Sequence, residues 1–87
     1  MAFYCYILEC ADGTYYTGWS IDPQRRLRQH NNGHGSRYTR SHRPVKLVYL
    51  EECADKSAAL KRERKIKKLP HLQKRKLIGS DGGNTEQ

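Results

Sequence analysis

The stretch Phe3-Tyr4-Cys5-Tyr6-Ile7-Leu8-Glu9-Cys10-Ala11-Asp12-Gly13-Thr14-Tyr15-Tyr16-Thr17-Gly18-Trp19 decides the fold. Two runs of strand-forming residues flank Asp12-Gly13, which is a hairpin signal. A two-residue turn at Asp12-Gly13 pairs Cys10 with Tyr15 and sends Tyr6 and Tyr16 to opposite faces of the sheet. A three-residue loop, Ala11-Asp12-Gly13, with Gly13 in the left-handed conformation, pairs Cys10 with Thr14 instead. Tyr16 then lies opposite Leu8, Tyr6 lies opposite Gly18, and both phenols share one face. Gly18 would leave a gap beside Tyr6 where a substrate can approach. The three-residue loop is the predicted one.

Outward from the hairpin, Asp22-Pro23 reads as an N-cap and first turn, and Gly33 as a stop, which predicts a helix over 23–32. Residues 33–43 have no period and many loop formers, and predict an exposed basic loop. Val45 to Leu50 is apolar enough to be an internal strand. Asp55 or Ser57 caps a helix reaching about Leu69, and Pro70 begins another ending near Ile78. The polar, Gly-rich tail 79–87 reads as disordered. The sum is a single domain over 1–78, of α/β (α+β) class, with a three-stranded antiparallel sheet flanked by about three helices.

The chain of 87 residues carries a formal net charge of +8, and its distribution is uneven. Residues 1–24 contain no Lys or Arg, residues 25–43 carry six arginines and no acid, and residues 61–76 carry nine Lys or Arg against the single acid Glu63. Two basic blocks favour a polyanionic partner, because each cation that meets a phosphate releases a condensed counterion. The plainer reading of the second block is a solvated helix face. Three cysteines without a C-x-x-C spacing suggest neither a disulfide framework nor a zinc site, and the four histidines do not supply ligand spacing either. With no signal peptide and no long apolar run, the expectation is a cytoplasmic protein without a membrane segment.

Arg26 and His30 stand four apart, on one face of the predicted helix. A guanidinium can clamp phosphate oxygens, and an imidazole can exchange a proton near neutral pH. Glu63, four residues after Ala59 and three before Ile66, interrupts an apolar stripe. A carboxylate turned inward there needs a cation, either a structural arginine or a metal ion. The other acids are thinly spread, so one ion is favoured over two. Trp19, Tyr38 and Tyr49 are open between core packing and base stacking, with packing favoured for Tyr49.

Together these residues resemble the GIY-YIG nuclease superfamily in its stand-alone, single-domain bacterial form, over residues 3–78. Tyr4-Cys5-Tyr6 stands at the first motif, Tyr16-Thr17-Gly18 at the second, Asp22 to Asn31 looks like the helix bearing the arginine and histidine, and Arg62-Glu63 looks like the helix bearing the metal-binding glutamate. The resemblance implies hydrolysis of DNA phosphodiester bonds, RNA not being excluded, with one Mg²⁺ or Mn²⁺ at Glu63. Arg26 would bind the scissile phosphate, Tyr16 or Tyr6 would position or deprotonate the attacking water, and His30 would assist. A domain this small suits branched or damaged DNA better than a long sequence. Arg25, Arg37, Arg40, Arg43 and Lys67 are the candidate backbone contacts. The competing expectation is a nucleic-acid-binding module without catalysis.

Overall fold

In the computed structural model, which describes residues 2–82, the first hairpin joins β1 (Phe3–Glu9) to β2 (Tyr15–Ser20). Leu8 pairs with Tyr16 and Tyr6 with Gly18, as the three-residue loop requires. Gly13 holds a φ of 86°, Cys10 N donates to Thr14 O at 2.8 Å, and Gly13 N to Cys10 O at 2.9 Å. Asp12 Oδ1 locks the turn by accepting from the backbone N and the hydroxyl of Thr14, at 3.1 and 2.6 Å.

α1 (Pro23–Asn31) starts where Asp22 Oδ1 accepts from Arg25 N at 3.2 Å, and stops before Gly33, whose φ is 85°. β3 (Lys46–Cys53) then runs antiparallel to β1, so the sheet order is β2-β1-β3. The central strand is therefore β1, and β3 lies at an edge. This corrects the internal placement of β3: Lys46 and Leu50 are exposed, Leu50 by 41%. Cys5 to Leu8, by contrast, are buried on both faces of the sheet. Burial of Ile7 and Leu8, both 0% exposed, is worth roughly 1.5–3 kcal/mol each.

Residues 33–43 also differ from the expected open loop. They contain a short helix, α2 (Arg37–Ser41), capped by Ser36, whose Oγ accepts from Thr39 N at 3.1 Å. Thr39 is fully buried. Between the two caps already considered, Asp55 is the one that starts α3 (Lys56–Lys67), accepting from Ala58 N at 2.8 Å. α4 (His71–Gly82) continues past Ile78 into the tail expected to be irregular, of which 83–87 lie outside the described residues. Among the described residues the sheet thus carries four helices.

Alternation along β1 divides the molecule. Odd-numbered Cys5 and Ile7 pack with Tyr49 and Ile66, flanked by Leu77 and Ile78, under α3 and α4. Even-numbered Tyr6 and Leu8 pack with Cys10 and Val45, flanked by Tyr16 and Leu27, under α1. Asn31 ties the end of α1 to the start of β3 through Val45, donating to its O at 2.9 Å and accepting from its N at 2.7 Å. His71 pins the start of α4 to the hairpin by stacking on Tyr15 at 4.6 Å and bonding Gly13 O at 3.1 Å.

Candidate active site

The even-numbered face of β1 gathers the site around the hydroxyl of Tyr6, which is 2% exposed. Tyr6 Oη lies 3.2 Å from His30 Nε2, and His30 Nδ1 lies 2.7 Å from Thr39 Oγ1. Thr39 Oγ1 also lies 3.1 Å from Ser36 O and 3.2 Å from Ser36 Oγ. Both ring nitrogens of His30 are thus hydrogen-bonded, Nδ1 with Thr39 Oγ1 and Nε2 with Tyr6 Oη. Burial pushes the His30 pKa down to about 4, the Arg26 charge adding to the effect, so the imidazole is neutral at pH 7. A neutral imidazole bonded at both nitrogens is held in one orientation.

Arg26, Tyr16 and Glu63 complete the surroundings of Tyr6. Burial pushes its pKa above the ordinary value, the neighbouring Arg26 guanidinium pulls it back, and Tyr16 and Glu63 push it up further. Three separate elements, β2, α1 and α3, thus set the charge state of one hydroxyl. Arg26 is steadied by Gln29, to whose Oε1 it donates at 2.7 Å. Tyr16 is half-buried and meets the His30 ring edge-on at 5.2 Å. The expected gap beside Tyr6 is filled by its own ring: a Cβ at Gly18 would lie 2.6 Å from Tyr6 Oη and 2.7 Å from Cζ. Gly18 admits the phenol rather than a substrate.

The Glu63 side chain is 15% exposed, as the interrupted stripe suggests, and its ion-pair partner is Lys67, at 3.3 Å, rather than an arginine. Among the described residues no group of three His, Cys, Asp or Glu could hold a metal ion together. One shielded carboxylate still suits Mg²⁺, which keeps several waters and takes few protein ligands. All three cysteines are free.

The basic residues divide. Arg25, Arg37 and Arg40 are exposed. Arg43 folds back over helix ends, donating from Nε to Arg40 O at 3.1 Å and from Nη1 to Asn31 O at 3.4 Å, and Lys67 is engaged by Glu63. Neither extends freely towards a partner.

Several contributors carry no catalytic signature in the sequence. Thr39 orients His30, and Gly35 makes room for it, since a Cβ there would run into the imidazole. Tyr38 stacks on Tyr16 at 6.3 Å and on His42 at 4.1 Å, and donates to Thr14 Oγ1 at 2.6 Å. His42 in turn approaches Asp12 at 3.5 Å. Ser36, a residue type that favours helix N-caps, is the one legible hint that this segment starts a helix. Tyr49 packs, as read, at 7% exposure.

Comparison with known proteins adds to this geometry. A family model described as the GIY-YIG catalytic domain matches residues 2–76. A UPF0213 protein of Syntrophus aciditrophicus is 53% identical over 76 residues, covering 86% of this chain and 87% of that protein. A UPF0213 protein of Staphylococcus saprophyticus is 51% identical over 75 residues, covering 86% and 92%. The solution NMR structure of a UPF0213 protein from Bacillus halodurans is 40% identical, with a TM-score of 0.64 over 99% of this chain and 92% of that one.

Proposed function

We propose, because the chain belongs to the GIY-YIG catalytic-domain family, that it is a divalent-metal-dependent endonuclease that hydrolyses DNA phosphodiester bonds in branched or damaged substrates. The observation that carries this reading is the contact of the Tyr6 hydroxyl with His30 and of the His30 ring with Tyr16, with Arg26 and Glu63 acting electrostatically on the same hydroxyl. Each group has a role suited to its surroundings. Arg26, held by Gln29, grips the scissile phosphate and offsets the charge that builds on it. Tyr16, the more exposed phenol, orients the attacking water. Tyr6, its hydroxyl fixed 3.2 Å from His30 Nε2, positions the same water; its raised pKa and the lowered one of His30 keep the proton on the phenol before the phosphate binds. Glu63 would hold one Mg²⁺ or Mn²⁺, which would supply Lewis-acid chemistry at the phosphate. Arg25, Arg37 and Arg40 lie on the surface for backbone contact, with Arg43 and Lys67 as secondary contributors.

A binding module without catalysis is the second reading, favoured by the lack of a three-ligand metal cluster among the described residues. Incubation with nicked, flapped and branched DNA in Mg²⁺ separates the two. The nuclease reading expects cleavage that Glu63→Ala abolishes. The binding reading expects no cleavage, and salt-sensitive binding that falls when Arg37, Arg40 and Arg43 are removed together. Where the protein acts in the cell follows from the same reading, which places it with DNA in the cytoplasm. Among the described residues no helix is long and apolar enough to cross a membrane.

A further inference from the structure

Two open clefts meet at Arg26. The larger, of about 600 Å³, is walled by Phe3, Trp19, Ser20, Ile21, Arg26 and Lys56. The smaller shares Ser20, Ile21 and Arg26 with it and adds Arg25. Phe3 and Trp19 lie 6.3 Å apart with their planes tilted by 38°, and Lys56 Nζ stands 5.4 Å above the Trp19 ring. Both aromatics are only half-buried, and Ile21 is 50% exposed. Side chains that served only the core would close this space. Instead an aromatic wall of two tilted rings stays open beside two cations, and the acid in the adjoining cleft, Asp22, is already used as the cap of α1. A flat π-surface next to an anion matches that combination, with the base on the aromatic wall and its phosphate on the cations.

We propose that this cleft binds an unpaired nucleobase of the nucleotide next to the phosphate held by Arg26. The assignment rests on the nuclease reading for the position of that phosphate, and it sharpens the substrate class. A base seated against Trp19 has left its duplex stack, so the substrate presents a single-stranded or frayed nucleotide beside the cut. The base takes the place of Lys56 over the indole, and Lys56 moves to the phosphate.

Trp19 is the only tryptophan in the chain, so its fluorescence reports on the cleft alone. With EDTA present to prevent cleavage, a short oligothymidylate is expected to quench Trp19 emission saturably. An abasic oligomer of the same length is expected to leave emission unchanged and to bind about tenfold more weakly. Lys56→Glu, at an exposed position, is expected to weaken the quenching titration about tenfold while melting as the wild type does. Thymidylate binding with unchanged emission, equal binding of the abasic oligomer, or no binding of either overturns the proposal. Base-dependent quenching without DNA cleavage leaves the cleft standing and removes the nuclease reading. Cleavage without quenching does the reverse.

Discussion

Two tyrosines of the sheet, Tyr6 on β1 and Tyr49 on β3, are both buried, and burial pushes both phenols up, Tyr49 to about 12. Their hydroxyls nevertheless end in different company. Tyr49 donates to Glu51 Oε1 at 2.6 Å, and Arg62 closes on the same oxygen at 2.9 Å. That cluster is neutral as a whole, and its partners are satisfied by one another. Tyr6 is hydrogen-bonded to a neutral imidazole, while Arg26 and Glu63 act on it electrostatically, and among the described residues the ion pair of Glu63 is with half-exposed Lys67. A satisfied network holds a fold together. A network with charges directed at one hydroxyl has capacity left for a substrate phosphate and a cation. The lesson is a division of labour between two hydroxyl clusters of one sheet, and it can be broken at either end.

The largest expected effect lies on the Tyr6 side. Arg26→Ala should lower cleavage by about 10²–10³-fold, the usual cost of removing one group that stabilises developing charge, with little change in melting temperature. Steady-state cleavage and thermal melting measured together check this. Next comes Gly18→Ala, whose methyl would collide with the Tyr6 ring. It should reduce stability by about 1–3 kcal/mol and lower cleavage as Tyr6 is displaced from His30, as urea titration and activity assays would register.

On the Tyr49 side, Glu51→Gln should cost about 1–2 kcal/mol in stability, because the pair with Arg62 is about a third exposed, while leaving cleavage unchanged. Burial opposes the Glu51 charge, but the Tyr49 hydroxyl and Arg62 outweigh it and hold the carboxyl below its ordinary value of 4.5. The stabilisation is therefore present above pH 4.5 and is lost as pH falls through the lower folded value. Melting curves of Glu51→Gln should lose that acid-side slope. His30 gives a milder window. Its pKa falls from 6.5 to about 4 on folding, so the unfolded chain binds the proton first and stability declines as pH drops from 6.5 towards 4. His30→Gln should flatten the melting temperature over that range, and a slope equal to the wild type's would show that His30 is not the titrating group.

Much of this division was legible in the sequence, for identifiable reasons. Asp12-Gly13 signalled the turn but allowed two registers, and the expected three-residue loop, which the pairing bears out, put Tyr6 and Tyr16 on one face. Glu63 announced itself by interrupting an apolar stripe. Other features depend on contacts between distant segments. An apolar run such as Val45 to Leu50 reads alike for an internal and an edge strand, and only pairing reveals that β1 takes the centre. A helix of five residues such as α2 has no period to detect, so the burial of Thr39, and with it the locking of His30, had no local signal. The fourfold spacing of Arg26 and His30 gave a shared face but not which of the two would be sealed from solvent.

The division of labour is tested most directly by one paired measurement, cleavage of flapped DNA in Mg²⁺ alongside thermal melting for Glu63→Gln and Tyr49→Phe. The expected result is a Glu63→Gln protein that melts as the wild type and does not cut, and a Tyr49→Phe protein that melts lower and cuts as the wild type. A Glu63→Gln protein that cuts at the wild-type rate would contradict the account.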